Sequence, residues 1–426
     1  MLLRFAATLG VRGGAAAASF LMHMLIANLL GAEGVGLFAL TLVAAQGLAD
    51  LGRFGLNQTV VRHAAPHLAS GAPEAARPYI ATAFTVPLCL AGAAAALACG
   101  LSLSGLGALW LGSSAHAGVL AAMVWSAPPL ALMMVAGGVL QASGRPAVAS
   151  FVEAGALPLG LLALLGTSLL AGAPRLDDPL SMTLAYVAAA GGAALLGAAL
   201  APARLMDPRR ADGPMLRASH PILTAHLLGY AMRSAPLLAV GLFGTLEEAG
   251  LFSVAWRAAM LLTILLTAIN TVMARQFAVA WGDGDAARLQ REFDLSLKAL
   301  LGLGLPAVAV LGLAAGPALS LFGAEFAEAR GLLWALLAGQ IGNLATASGG
   351  SLLMMTGHER ALRWNMAVCA AATVALSLAL TPIWGAAGAA AAASLSLTLQ
   401  GALAAWQAAR LAGVRLLWLR GPGAAG

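Results

Sequence analysis

Long apolar stretches separated by short polar connectors dominate the chain. About 20 mostly apolar residues are needed for a helix to cross a bilayer. Twelve stretches of that kind follow one another along the 426 residues: 9–31, 34–56, 79–104, 115–141, 148–172, 178–203, 219–242, 247–274, 295–321, 328–354, 364–382 and 385–409. The pattern predicts an all-α integral membrane protein with about twelve transmembrane helices.

Composition supports this interpretation, because 61% of the residues are hydrophobic and only 9% are charged. A soluble domain has about a quarter of its residues charged. The twelve stretches use most of the chain, so we expect short connectors and no soluble domain.

The basic residues are distributed unevenly between the two sides of the predicted membrane. All but four of the 23 Lys and Arg residues fall on the side of the N-terminus, the exceptions being Arg175, Arg330, Arg233 and Arg257. The positive-inside rule then predicts that both termini are cytoplasmic. This distribution explains the pI near 10, so we expect no nucleic-acid partner.

Three sequence matches relate the two halves of the chain. Leu29–Leu40 resembles Gly244–Val254, Val61–Gly71 resembles Ala274–Gly284, and Gly144 matches Gly357, all at an offset of about 213 residues. We therefore predict two parallel six-helix lobes, covering residues 1–210 and 211–426. Repeats of this kind are typical of transporters with a substrate site between the halves.

Arg233 and Arg257 are predicted inside consecutive spans, each roughly 15 Å from the outer end. A charge at such depth costs at least ~2.5–3.5 kcal/mol and normally faces the bundle interior or a wet cavity. Two guanidinium groups at one level would suit a pyrophosphate. Alternatively, they bind backbone carbonyls and hold helices together. The sequence places no carboxylate at comparable depth, which favours an anionic over a cationic substrate.

A second candidate group lies at the predicted cytoplasmic end of the first two spans. Arg12, Asp50 and Arg53 would receive an anionic substrate there, or they are ordinary positive-inside anchors with Asp50 and Arg53 as an i, i+3 pair. Asn270, within a span, would contact sugar or form interhelical hydrogen bonds. Histidines and cysteines show no metal-ligand spacing, so we predict neither a metal site nor catalytic residues.

Several motifs together resemble the polysaccharide transporter family of flippases (Wzx-type), within the multidrug/oligosaccharidyl-lipid/polysaccharide (MOP) exporter superfamily. They are Leu30-Gly31 with Glu33, Gly36-Leu37-Phe38, Ala49-Asp50-Leu51-Gly52, Gly55-Leu56, Val61-Arg62, Ser143-Gly144-Arg145 and Gly282-Asp283. The resemblance implies a MATE-like (MOP) fold with two lobes around a central cavity. It also implies a multi-pass protein of the bacterial inner membrane that flips a polyprenyl-pyrophosphate-linked oligosaccharide to the outer leaflet by alternating access, for cell-surface polysaccharide biosynthesis.

The same resemblance implies the lipid-linked glycan, membrane lipids and a polysaccharide polymerase or export machinery as partners. It requires no cofactor, and it leaves open coupling to H⁺, Na⁺ or the membrane potential. One alternative function is a MATE-type multidrug or cation-coupled exporter, against which the missing deep carboxylates count. Another is a non-transport enzyme or scaffold of glycan assembly. We expect no enzyme, because the longest outer connectors, 105–114 and 322–327, are mostly apolar or small.

Overall fold

The computed structural model describes residues 2–170, 176–201, 213–346 and 348–415, and none of these residues lies in a β-strand. The predicted all-helical architecture is confirmed. The helices are α1 Leu2–Gly52, α2 Leu56–Ala69, α3 Pro73–Leu101, α4 Gly107–Leu111, α5 Ser114–Met123, α6 Ala127–Ala142, α7 Pro146–Ser150, α8 Ala156–Leu170, α9 Pro179–Leu200, α10 Gly213–Phe243, α11 Leu246–Met260, α12 Leu262–Gly282, α13 Ala286–Leu313, α14 Ala315–Ser320, α15 Arg330–Leu344, α16 Ser348–Met355 and α17 Glu359–Ala412.

The two longest helices are each interrupted at a glycine. Gly31 in α1 has φ 68° and ψ −179°, and Gly385 in α17 has φ 57° and ψ −138°. At 1.5 Å per residue, α1 and α17 would be more than twice the ~30 Å of the hydrocarbon core if straight. In α17 the chain turns back on itself, since a Cβ atom on Gly388 would collide with the Leu380 carbonyl. Each helix therefore supplies two of the predicted spans.

Eight helical stretches of the described residues are long and apolar enough to cross a membrane. Two of these, Gly10–Ala69 and Glu359–Ala412, contain the interruptions at Gly31 and Gly385 and are 60 and 54 residues long. The chain is therefore a multi-pass membrane protein.

Two helices extend into segments that the sequence pattern predicts as connectors between spans. After a break at Phe54 and Gly55, with φ 51° and 73°, α2 continues the second span to Ala69. Its apolar face, including Val60, packs against α3 and α6 through residues such as Ile80. In the second half, α12 likewise extends to Gly282. The span prediction ended too early because polar residues on the opposite face of α2 lower its mean hydropathy.

The chain divides into two compact units, Met1–Tyr230 and Ala231–Gly426, with the division inside α10. The first part of α10 belongs to unit 1 because Ser219 Oγ donates to Thr59 Oγ1 at 2.9 Å and the Tyr230 hydroxyl donates to the Val43 carbonyl at 2.8 Å. This division lies after the sequence-based boundary between residues 210 and 211.

Turn conformations repeat between the two halves. Gly71 and Gly284, 213 residues apart, have φ 75° and 69°; Gly144 and Gly357, also 213 apart, have φ 75° and 78°. A left-handed conformation at a turn favours glycine because it has no Cβ atom. The residues aligned by sequence therefore also share backbone geometry, which supports the duplication.

Candidate functional site

The break between α1 and α2 places the first group of candidate residues in unit 1. Asp50 lies in the last turn of α1 and Arg53 directly follows that helix. Their side chains form an ion pair at 2.9 Å and are only 15% and 13% exposed. The backbone can turn here because Gly55 is left-handed, and it packs against Ile222 of α10. The predicted i, i+3 pair thus exists, within a bent span rather than at its end.

Arg12 lies beside a π-helical turn, Phe151–Gly155, between α7 and α8. Its Nε donates a hydrogen bond to Ser150 Oγ at 3.3 Å. One turn further along α1, Ala15 approaches Gly155, where an added Cβ atom would lie 3.5 Å from that of Ala15. The π turn therefore packs directly on the helix that carries Arg12.

The π turn also carries Glu153, which packs against Gly137, the first residue of a glycine pair in α6. A Cβ atom on Gly137 would collide with the Glu153 carboxylate, and one on Gly138 would collide with the Asn57 carbonyl. Arg12 reaches the same turn through its hydrogen bond to Ser150, three residues before Glu153, and Arg53 lies four residues before Asn57. The structure thus brings the three predicted residues of unit 1 together and adds Glu153 and Asn57, whose Oδ1 is buried without a hydrogen-bond partner.

Glu153 is not among the candidate residues predicted from the sequence, which places this acid near a cytoplasmic helix end. In the structure Glu153 is seven residues beyond Pro146, or about 10 Å along the helical stretch Pro146–Ser168. A sequence signal existed: Glu153 is a lone acid in an apolar segment, one turn after Ser150. Its packing against Gly137, however, depends on contacts that the sequence does not reveal.

Arg233 and Arg257 lie in unit 2, on either side of the tight turn formed by Gly244 and Thr245. Arg233 is ten residues before the end of α10, and Arg257 is eleven residues after the start of α11. Both are therefore about 15 Å from the turn and at the same level. Arg233 is exposed and Arg257 is half-buried.

Asn270 lies on α12, thirteen residues beyond Arg257 and past the break at Leu261. This separation corresponds to about 20 Å along the helices. Its Oδ1 is buried without a hydrogen-bond partner. Any contact of Asn270 with a substrate would therefore be at a different level from the two arginines.

A cavity of about 270 Å³ lies elsewhere in unit 1, lined mainly by apolar residues such as Leu48, Leu101 and Leu120. Ser102 and Trp110 are the polar exceptions among its lining residues. This cavity is poorly suited to sugar, which needs many hydrogen-bonding partners.

No protein-family model matches the chain, and no curated protein matches its sequence. Solved structures do match. An inward-facing multidrug resistance MATE family transporter of the MOP superfamily has a TM-score of 0.74 and 14% identity, covering 96% of this chain and 98% of its own. The lipid II flippase MurJ, in an inward closed conformation, has a TM-score of 0.70 and 12% identity, with 96% and 87% covered.

A MOP superfamily transporter from Pyrococcus furiosus also matches, with a TM-score of 0.60, 15% identity, and 96% and 95% covered. All three proteins are transporters rather than enzymes. At such low identity the similarity establishes the fold, including the predicted set of about twelve helices in two lobes. The chain therefore has the fold of MOP superfamily transporters.

Proposed function

We propose that this protein is a flippase that moves a polyprenyl-pyrophosphate-linked oligosaccharide from the cytoplasmic to the outer leaflet of the bacterial inner membrane. The observation that carries the proposal is the pair Arg233 and Arg257, at one level about 15 Å inside the helices of unit 2. Charges at this depth are costly unless they serve a polar pathway. Guanidinium groups bind phosphate oxygens in bidentate geometry, which suits a pyrophosphate better than a neutral glycan.

The unit 1 residues provide an initial binding site on the cytoplasmic side. Arg12 and Arg53 attract the phosphates there, and Arg233 and Arg257 hold them during translocation, while the polyprenyl tail remains in the lipid. The fold supports this scheme because it is shared with a lipid II flippase. The cycle is alternating access driven by H⁺, Na⁺ or the membrane potential, and a polysaccharide polymerase receives the product.

Transport assays in proteoliposomes test the proposal. The substrate is a fluorescent undecaprenyl-pyrophosphate disaccharide, and its leaflet is determined by quenching from outside the vesicle. Loss of a charge-assisted hydrogen bond costs about 1.5–3 kcal/mol, so we expect Arg233→Ala with Arg257→Ala to slow transport at least tenfold. Arg330→Ala with Arg360→Ala, at exposed helix starts, is the control with the same charge change. Unaltered transport by the first double variant would exclude the assigned arginines.

A MATE-type exporter of cationic compounds is the second candidate, favoured by the similarity to a multidrug resistance MATE transporter. A cation would need a carboxylate within the spans, and Glu153 is positioned for that role. The same proteoliposomes distinguish the two functions. Uptake of a cationic dye that Glu153→Gln abolishes, without movement of the lipid-linked disaccharide, would establish the exporter.

A further inference from the structure

Glu153 is a carboxylate inside an otherwise apolar helical stretch, and the proposed transport of an anion gives it no direct role. An acid within a membrane-spanning helix costs about 2.5–3.5 kcal/mol toward the centre and normally pairs with a cation or faces water. Arg12 hydrogen-bonds to Ser150 on the turn before Glu153, and Arg53 precedes by four residues Asn57, whose carbonyl contacts Gly138 beside the glycine that faces Glu153. A negative group beside arginines that bind phosphate would compete with that phosphate, so its presence requires an explanation.

The charges of this cluster balance when no substrate is present. Arg53 forms its ion pair with Asp50 at 2.9 Å. Arg12 hydrogen-bonds to Ser150, which lies one turn before Glu153. Counted in their ionised forms, Arg12 and Arg53 carry two positive charges and Asp50 and Glu153 carry two negative charges. The cluster can therefore remain within the membrane without a bound anion.

The carboxylate lies on an unusual stretch of backbone. Glu153 lies in a π-helical turn, a rare conformation that is often found at functional sites. The side chain occupies the space left by the missing side chain of Gly137. The next residue of α6, Gly138, contacts the Asn57 carbonyl, and the buried Asn57 Oδ1 has no hydrogen-bond partner. Two polar groups, Ser150 and Asn57, therefore lie close to the turn that carries the carboxylate.

We propose that Glu153 is an internal counter-ion that occupies the basic site of unit 1 in the unloaded protein and is displaced by the phosphates of the substrate. This inference rests on the proposed function. It assigns to Glu153 a positioning role: it holds Arg12 and Arg53 in place without substrate, and it lowers the affinity for phosphate so that the substrate can leave the site again.

Equilibrium binding to the full-length protein in lipid nanodiscs tests this role. The probe is undecaprenyl pyrophosphate, and undecaprenol measures the contribution of the tail alone. We expect Glu153→Gln to bind the pyrophosphate at least about tenfold more tightly, which corresponds to about 1.4 kcal/mol, with no change for undecaprenol. Glu74→Gln is the matched control, because Glu74 pairs with Arg77 at 2.7 Å at the exposed start of α3 and the charge change is the same.

Adding Arg12→Ala to Glu153→Gln should abolish the gain, since the competing cation is then absent. If Glu153→Gln does not fold, Glu153→Asp provides the test, because it keeps the charge and withdraws the carboxylate by one methylene. We expect this variant to increase the affinity for undecaprenyl pyrophosphate by less than Glu153→Gln. Equal binding by the wild type and the Glu153 variants, with binding intact, would overturn the counter-ion role and leave the proposed function standing. Absence of pyrophosphate binding in the wild type and in Glu153→Gln would overturn both.

Discussion

Substituting Gly55 by alanine tests whether the break between α1 and α2 positions the unit 1 site. Gly55 has φ 73°, and an added Cβ atom would lie 3.0 Å from Ile222 side-chain atoms and from the Leu223 backbone nitrogen. Gly71 is a matched control because it has φ 75° and no atom within 4 Å of an added Cβ. Both substitutions introduce a left-handed alanine, and only the one at Gly55 also introduces a steric conflict.

The left-handed conformation costs roughly 1–2 kcal/mol for a residue with a Cβ atom. Overpacking in a tight contact costs about 1–3 kcal/mol more. We therefore expect Gly71→Ala to lower the free energy of unfolding by about 1–2 kcal/mol and Gly55→Ala by roughly 2–5 kcal/mol. Because the break precedes α2 and follows Arg53, Gly55→Ala should also slow substrate transport, whereas Gly71→Ala should not.

The free energy of unfolding can be measured by tryptophan fluorescence while mixed micelles are titrated with a denaturing detergent. Transport is measured in proteoliposomes that contain equal amounts of folded protein. Equal destabilisation by the two variants would show that the packing of Gly55 on α10 contributes nothing. Normal transport by a destabilised Gly55→Ala variant would refute the idea that this break positions Arg53.

Three further predictions concern the helices themselves. Asp178 caps α9, and hydrogen bonds from Ser181 lower the pKa of its carboxyl. Asp178→Ala should therefore lower the free energy of unfolding by about 1 kcal/mol at neutral pH. This difference from the wild type should vanish as the pH of the unfolding titration falls through the folded-state pKa, which lies below the usual ~3.9. Gly388→Val should destabilise the α17 hairpin by about 1–3 kcal/mol through collision with Leu380, whereas Ala387→Val, at an exposed position, should be nearly neutral in the same titration. Thr245→Ala removes the capping box of α11 and should cost about 1 kcal/mol, measurable in the same way.

Much of the helix arrangement could be predicted from the sequence, because a membrane span is determined by a long apolar stretch. The exceptions have a physical cause. In α2, Val60 and Ala64 are completely buried, but polar residues between them lower the mean hydropathy, so the helix was predicted as a connector. The interruption at Gly385 was predicted only as a boundary between spans, because its φ of 57° depends on the turn it occupies.

The candidate site was less accessible to sequence reasoning. Arg233 and Arg257 stand out because they interrupt apolar stretches, and helix geometry alone places them at one level. Glu153 also interrupts an apolar stretch, but its place in a charged cluster depends on Arg12 and Gly137, which are distant in the chain. Tertiary contacts of this kind have no local sequence signal. They determine whether an acid in an apolar helix is isolated or belongs to a charged cluster.

The duplication of the chain extends to its turns but not to the charged residues of the candidate site. The left-handed glycines at 71 and 144 recur 213 residues later. The positions equivalent to the charged site residues carry no charge. At an offset of 213 from Asp50, Arg53, Glu153, Arg233 and Arg257, the chain has Thr263, Leu266, Met366, Phe20 and Ala44, in that order. The repeated glycines are required by the backbone in both units, whereas each set of charges belongs to one unit. If one duplicated fold carries two different charged sites, the two units perform different steps of transport. A variant that lacks the charged residues of unit 1 should therefore not regain transport when the same charges are placed at the equivalent positions of unit 2.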